Sequence, residues 1–411
     1  MIFISTISVL TLCLWTYIRQ GKHKAVKFFG GLGLSLLSGA ILVYYGQQFP
    51  AIYDSAWLRP FHGVALASLT WVLSLFMALP FVLVDAVGCL IYRWRRRKKK
   101  VMPENDDDVT ALDKTGPHMS RRTFLKGVTA ALPVAAIATS GVGNVVGESY
   151  LAVTTHDIVS PLVPDYLDGY KIGQLSDTHM GLFLGPKELQ QSIDAAANAG
   201  VNRLEITGDL IDELSLLPEC KKILLSNFQR FPDGIDFCYG NHEYYRGIGE
   251  ITAMLADTPI RILRNSNVCV SPGKGAQLQG RQGRDTRPFY IAGADYAFAK
   301  GDEAFVAERQ EFMAKTLAGI PQGAFTLLLA HHSAFIDEAF ARHIPLTLCG
   351  HTHGAQVAPI GPIVNAVGFK YLRGMYRQGD SYGYVNRGTG HWLPFRLLCS
   401  REVSIFTLHQ S

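Results

Sequence analysis

Three scarcities in this sequence each remove a class of reading. Cysteine is one, with 7 residues in 411. Cys13 and Cys89 fall in apolar runs, while Cys220, Cys238, Cys269, Cys349 and Cys399 are an odd set without paired spacing. Neither a disulfide framework nor a cysteine-ligated zinc site is indicated, and Cys238 and Cys349, each inside a short apolar strand, read as buried thiols. Charge is the second scarcity: charged residues make up 18% of the chain and hydrophobic ones 48%. With mean hydropathy +0.13, a wholly soluble protein is excluded and part of the chain is expected in a membrane. The third is a cleavage site. The first apolar run leads into Trp15-Thr16-Tyr17, which lacks the small residues that end a signal peptide.

What is present begins with apolar runs at 2–18, 25–46 and about 64–92, each close to the ~20 residues that cross a bilayer. They predict three transmembrane helices in a membrane domain over 1–100. The net charge of +5 is unevenly spread: Lys and Arg outnumber Asp and Glu up to residue 150, and the remainder is slightly acidic. The basic residues gather in the loop of Arg19, Lys22, Lys24 and Lys27 and in the run from Arg93 to Lys100. By the positive-inside rule both face the cytoplasm, which leaves the N-terminus and the loop around 47–60 outside. A basic run can also be a nucleic-acid patch, but one that directly follows an apolar span reads as a topology signal. The acidic remainder offers no basic surface to a phosphate backbone, so no nucleic-acid partner is expected.

Residues 101–119, with Asp106-Asp107-Asp108, read as a polar cytoplasmic linker. Then Ser120-Arg121-Arg122-Thr123-Phe124-Leu125-Lys126 precedes a mildly apolar, Ala- and Gly-rich run over 127–147. The segment 120–150 resembles a twin-arginine export signal, with an ordinary fourth span as the alternative. Either carries the residues after Gly147 across the membrane. The expected location is the cytoplasmic membrane of a bacterium, multi-pass, with the last domain on the extracytoplasmic face and the twin-arginine export machinery as a partner. That machinery moves folded proteins, which suits a domain that takes up metals before export.

The last domain, 151–411, holds five polar turns, each closing a short apolar strand. The strand at 170–175 ends in Asp177-Thr178-His179, whose carboxylate and imidazole lie close enough to chelate one ion. A helix over 186–199, with Pro near its start, leads to a strand at 203–207 and the turn Gly208-Asp209-Leu210-Ile211-Asp212. This strand, helix, strand order implies a βαβ unit with ligand groups at the strands' carboxyl ends. Gly240-Asn241-His242-Glu243 follows the strand at 235–238, and His331-His332 follows that at 325–329. Gly350-His351-Thr352-His353-Gly354 follows a strand at 344–348. Strands are also expected over 261–270 and 289–293, joined by a long Gly-, Gln- and Arg-rich tip at 271–287 that reads as a hairpin loop or as a flap attracting phosphate.

Together these motifs resemble the calcineurin-like metallophosphoesterases, over 170–409 and in the family's order. The closing stretch, Tyr384-Val385-Asn386-Arg387-Gly388-Thr389-Gly390 and Pro394-Phe395-Arg396-Leu397, looks like the membrane-linked bacterial branch. That branch favours Pro-Glu where this chain has Arg401-Glu402, and Gly-Gly-Gln where it has Gly354-Ala355-Gln356. The resemblance implies an α/β fold, a four-layer sandwich of two mixed β-sheets flanked by helices, preceded here by the transmembrane helices. It implies two divalent metal ions, Mn, Fe or Zn: one on Asp177, His179 and His353, the other on Asn241, His331 and His351, with Asp209 bridging. His332 is the alternative to His331. A hydroxide bridging the metals would attack phosphorus, His242 would protonate or stabilise the leaving oxygen, and Asp212 and Glu243 would orient ligands. His391 and Arg387 are candidate substrate contacts or plain surface residues.

The function expected is hydrolysis of a phosphodiester or pyrophosphate in a membrane-associated or lipid-linked substrate. The alternatives are a pyrophosphatase acting on a UDP-linked diacylglucosamine, which needs a cytoplasmic active site; a nuclease, since the same fold hosts nucleases; and a non-catalytic membrane scaffold, which would be expected to have lost ligands.

Overall fold

The computed structural model describes residues 2–18, 24–47, 59–99, 138–139, 141–143, 147, 150–181, 184–270, 287–358, 361–366, 368–391 and 395–411. The linker at 101–119, the twin-arginine heptad at 120–126 and the tip at 271–286 lie outside them. The chain separates into two compact units, Met1–Asn144 and Val145–Ser411.

In the first unit, helix α1 spans Ile2–Ile18, α2 Lys24–Gln47 and α3 Arg59–Lys99. One stretch among the described residues, Ala25–Tyr44 with 20 residues, is long and apolar enough to cross a membrane. The 17 residues of α1 are fewer than that, and of the three spans expected this one is supported on length and composition among the described residues. The helices pack on one another through small polar groups. Ser8 Oγ donates to the Val72 carbonyl at 2.6 Å, and Trp71 Nε1 donates to Ser35 Oγ at 3.0 Å.

Among the described residues the second unit has twelve strands: β1 Leu151–Val159, β2 Lys171–Leu175, β3 Arg203–Thr207, β4 Ile235–Cys238, β5 Arg261–Leu263, β6 Ser266–Val270, β7 Phe289–Ala294, β8 Phe325–Ala330, β9 Leu346–Cys349, β10 Gly374–Gln378, β11 Ser381–Val385 and β12 Arg401–His409. They form two six-stranded sheets, ordered β1-β12-β2-β3-β4-β5 and β10-β11-β9-β8-β7-β6. Both are mixed: β12 runs antiparallel to β2, β10 to β11 and β6 to β7, and the other pairs are parallel. The helices are α4 Pro186–Asn198, α5 Leu217–Asn227, α6 Asn241–Arg246, α7 Ile248–Ala256, α8 Asp302–Thr316, α9 Phe335–Ala341 and α10 Gly361–Ala366. Helix α4 packs on β12, β1 and β2, while α8 and α9 pack on the second sheet. The expected arrangement of two mixed sheets flanked by helices is therefore present.

Sequence chemistry explains the layers. Phe325-Thr326-Leu327-Leu328-Leu329-Ala330 is buried along its whole length, as a central parallel strand covered on both faces must be. Its Phe325, Leu327 and Leu329 join Ile172, Phe289, Leu348 and Phe406 between the sheets, and Leu328 and Ala330 face Phe335 and Met313 outside. Helix α4 buries Leu189, Ile193 and Ala196, spaced to share one face. It starts at Pro186, with Glu188 Oε2 accepting from Gly185 N at 2.9 Å, which satisfies an otherwise unpaired amide. The inter-sheet space also holds charge. Arg203 pairs with Glu205 at 2.7 Å and with Asp236, and Arg261 pairs with Asp236 at 2.6 Å.

Two expectations need correcting. β1 is absent from the expected strands: Thr154-Thr155-His156-Asp157 is a polar run, tolerated because β1 is an edge strand whose partner among the described strands is β12. The run 261–270 is not one strand either. Asn265 takes the left-handed conformation at φ 48°, and the chain passes there from β5 in one sheet to β6 in the other. The hairpin of β6 with β7 does form.

Candidate metal centre

The carboxyl ends of β2, β3, β4, β8 and β9 meet at one edge of the sandwich, and the five polar turns lie there. Asp177, His179, Asp209, His351 and His353 have φ of 51°, 47°, 53°, 73° and 49°. Each is held in the left-handed region at a cost of roughly 1–2 kcal/mol. Five strained non-glycine residues in one cluster turn their side chains back over the strand ends. The turns also cross closely: a Cβ on Gly240 would collide with Asp209 Oδ1, and one on Gly350 with Ser176 Oγ and Asp177 Oδ2.

The ligand atoms converge. Those of Asp177, His179 and His353 lie within 4.8 Å of one another, as do those of Asp209, His331 and His351 and those of His179, Asp209 and His242. His353 Nε2 is 3.0 Å from His179 Nε2 and 3.3 Å from Asp177 Oδ1. His331 Nε2 is 3.1 Å from Asp209 Oδ2 and 3.8 Å from Asp177 Oδ1. His331 Nδ1 donates to the Thr207 carbonyl at 2.7 Å, which aims Nε2 inward.

This arrangement demands positive charge. Burial would lower the His331 imidazole, but Asp209 and Asp177 outweigh it and push it up to about 10. Burial, followed by the neighbouring imidazoles, holds His351 and His353 well below their ordinary value, so both keep lone pairs for a cation. Asn241 Oδ1 is buried with no hydrogen-bond partner among the described residues. A buried acceptor left open, two inward imidazole nitrogens 3.0 Å apart and two buried carboxylates form a nitrogen and oxygen donor set that fits divalent transition metals.

Other residues fix these groups. Glu243, fully buried, accepts from the backbone N–H groups of Asp209 at 2.9 Å, Leu210 at 2.8 Å and Gly240 at 2.7 Å, pinning one turn to the next. Burial and the nearby Asp209 push its carboxyl up to about 6. Asp212 Oδ1 accepts from His242 Nδ1 at 2.6 Å and lies 3.3 Å from His179 Nδ1. Although burial opposes it, these two imidazoles hold the Asp212 carboxyl well below the usual range.

His332 is placed differently from His331. Its Nδ1 accepts from Ala334 N at 3.1 Å, it joins none of the three ligand groups, and burial lowers it to about 3. Arg387, a candidate substrate contact, is instead tied to Glu402, with Nε and Nη2 each 3.1 Å from its oxygens. His391 is buried. Two residues escaped the sequence reading. Buried Arg396 lies 3.3 Å from His353 Nδ1 and donates to the carbonyls of Arg387 at 2.7 Å and Gly390 at 2.6 Å; the closing-stretch pattern contained it without marking it. Tyr296 Oη lies 3.4 Å from His351 Nε2, and its only signal is that it follows a strand end, as the ligand turns do.

No family model matches the chain. It is 29% identical over 299 residues to an uncharacterized metallophosphoesterase of Bacillus subtilis, covering 71% of this chain and 98% of that one. It is 32% identical over 254 residues to one of Helicobacter pylori, covering 61% of this chain and 62% of that one. A transmembrane protein with metallophosphoesterase domain of Bos taurus is 27% identical, covering 72% of this chain and 64% of its own. A solved dimetal phosphatase from Danio rerio overlaps 55% of this chain and 90% of its own at 11% identity and a TM-score of 0.30, too loose to bear on function. Its several relatives described as metallophosphoesterases support the calcineurin-like family, and the chain is a metallophosphoesterase.

Proposed function

We propose that the centre binds two divalent ions and hydrolyses a phosphodiester or pyrophosphate in a membrane-associated substrate. The observation that carries this is the convergence of inward imidazoles and buried carboxylates from five strand ends, together with the open buried acceptor Asn241 Oδ1 on the turn after β4. Asp177, His179 and His353 would hold one ion, Asn241, His331 and His351 the other, and Asp209 would touch both. When bound, such ions supply Lewis acidity toward phosphoryl oxygens and make a water acidic enough to attack near neutral pH.

The chain's own part is positioning and proton delivery. His242 Nδ1 is engaged by Asp212 at 2.6 Å, which leaves Nε2 to give a proton to the leaving oxygen. His242 N donates to Asp209 Oδ1 at 2.8 Å, so the acid and the shared carboxylate are held in one frame. Chelating the full chain should abolish turnover, and Mn²⁺, Fe²⁺ or Zn²⁺ should restore it.

The apolar stretch Ala25–Tyr44 and the transmembrane relative of Bos taurus support a membrane tether and, with it, a substrate at the membrane. The twin-arginine reading puts the centre on the extracytoplasmic face. Cys269 is an exposed thiol, whereas Cys220, Cys238, Cys349 and Cys399 are buried. A membrane-impermeant maleimide should therefore label Cys269 in intact cells. Labelling only after lysis would place the domain in the cytoplasm and revive the UDP-diacylglucosamine reading.

A further inference from the structure

Beside the centre stands a row of aromatic rings that the hydrolytic reading does not use. The Tyr245 ring lies 5.8 Å from that of His242 and 6.1 Å from that of Phe298. Phe298 packs on Tyr296 at 4.7 Å, and Tyr296 on His351 at 5.4 Å. The row thus runs from His242 to a candidate ligand without a break. Two of its members are open to solvent, Tyr245 at 63% exposure and Phe298 at 40%, although large apolar rings gain by burial.

The row is held from behind. Phe298 rests edge-on against Tyr244 at 5.1 Å. Tyr244 Oη donates to Asp295 at 2.6 Å, and Arg264 Nε donates to the same carboxylate at 2.7 Å. Ordering these rings therefore requires no bound molecule, the kind of preorganisation that lowers the entropy cost of binding. Their use rests on the hydrolytic reading in one respect: if His242 Nε2 faces the leaving oxygen, Tyr245, whose ring lies 5.8 Å from that of His242, and Phe298 beside it are placed to meet what that oxygen carries.

We propose that Tyr245 and Phe298 form a specificity wall that takes an aromatic ring carried on the leaving oxygen of the substrate. Rings at 59° to one another present a face and an edge, the two arrangements in which aromatic groups prefer to meet. A saturated chain of equal size gains the burial but not the ring geometry.

The test is calorimetric titration of the Mn²⁺-loaded full chain in detergent with benzylphosphonate and with cyclohexylmethylphosphonate, which match in size and charge. The wild type should bind the aromatic compound about fivefold more tightly. The ratio should fall to about one in Tyr245→Leu and Phe298→Leu and persist in Tyr245→Phe. Tyr245 is mostly exposed, so its variants are expected to fold, and Val306→Ala, an exposed apolar change elsewhere, serves as the neutral control. Equal affinities in the wild type, or failure of both compounds to bind, would overturn the wall. Failure of metal-dependent turnover with selective phosphonate binding intact would instead remove the hydrolytic reading and leave the wall.

Discussion

Asp212 serves two imidazoles at once, His242 at 2.6 Å and His179 at 3.3 Å. Asp212→Asn, which offers His242 an amide in place of a carboxylate, should lower kcat about 10–100-fold. His242→Ala should cost more, about 10²–10⁴-fold in kcat, while metal content measured by mass spectrometry stays at the wild-type level. Loss of metal in His242→Ala would mean that His242 is a ligand, as its closeness to His179 and Asp209 allows. Glu243→Gln trades a carboxylate holding three amides for a group that accepts through one atom, so metal affinity should fall about 10–100-fold. At this scale residue type and spacing made much of the site legible: the imidazoles and carboxylates in the five turns do converge. Arg396 was not legible, because its partners are carbonyls from Arg387 and Gly390 and a ring nitrogen from a distant turn, and no local pattern encodes them.

At the scale of elements, the centre depends on turns that cross without side chains between them. Gly240→Ala places a methyl group against Asp209 Oδ1 and should displace that carboxylate, with metal content and turnover lost together. The turn after β9 has the reverse problem: Ala355 is at φ 62°, a left-handed conformation that favours glycine. Ala355→Gly relieves left-handed strain and should raise stability by about 0.5–1 kcal/mol, read as an increase in the thermal midpoint. Strands β4, β8 and β9 were legible as short apolar runs bounded by glycine or polar turns. β1 was not, because an edge strand needs no continuous apolar face. The break between β5 and β6 was hidden because only the left-handed Asn265 marks the change of sheet.

At the scale of the whole molecule, one carboxylate contributes to the joining of the first sheet to the second. Glu402 on β12 accepts from Tyr384 Oη at 2.6 Å, Thr154 Oγ1 at 2.7 Å and the Arg387 backbone N–H at 2.9 Å. Burial opposes its charge, but Arg387 and these donors hold its carboxyl below the ordinary value. A depressed folded value stabilises above the unfolded one, about 4.3, and that contribution is lost as pH falls through the folded value. Glu402→Gln should therefore destabilise by about 2 kcal/mol at neutral pH, with the gap in thermal midpoint closing as pH drops below about 4. The layered fold was legible from the family resemblance, whereas periodicity alone could not show that charged Arg203, Glu205 and Asp236 would be buried and paired between the sheets.

Whether these strand ends hold the metal ions that make the chain a phosphoesterase is decided on the full chain, stripped with chelator and reloaded with Mn²⁺. Bound metal and hydrolysis of bis-p-nitrophenyl phosphate are measured together, beside Asp209→Asn. The expected result is about two ions per chain and turnover that returns with the metal, both diminished in the variant. Turnover that persists after chelation, or that survives in Asp209→Asn with full metal content, would rule out a metal-dependent centre built on these residues.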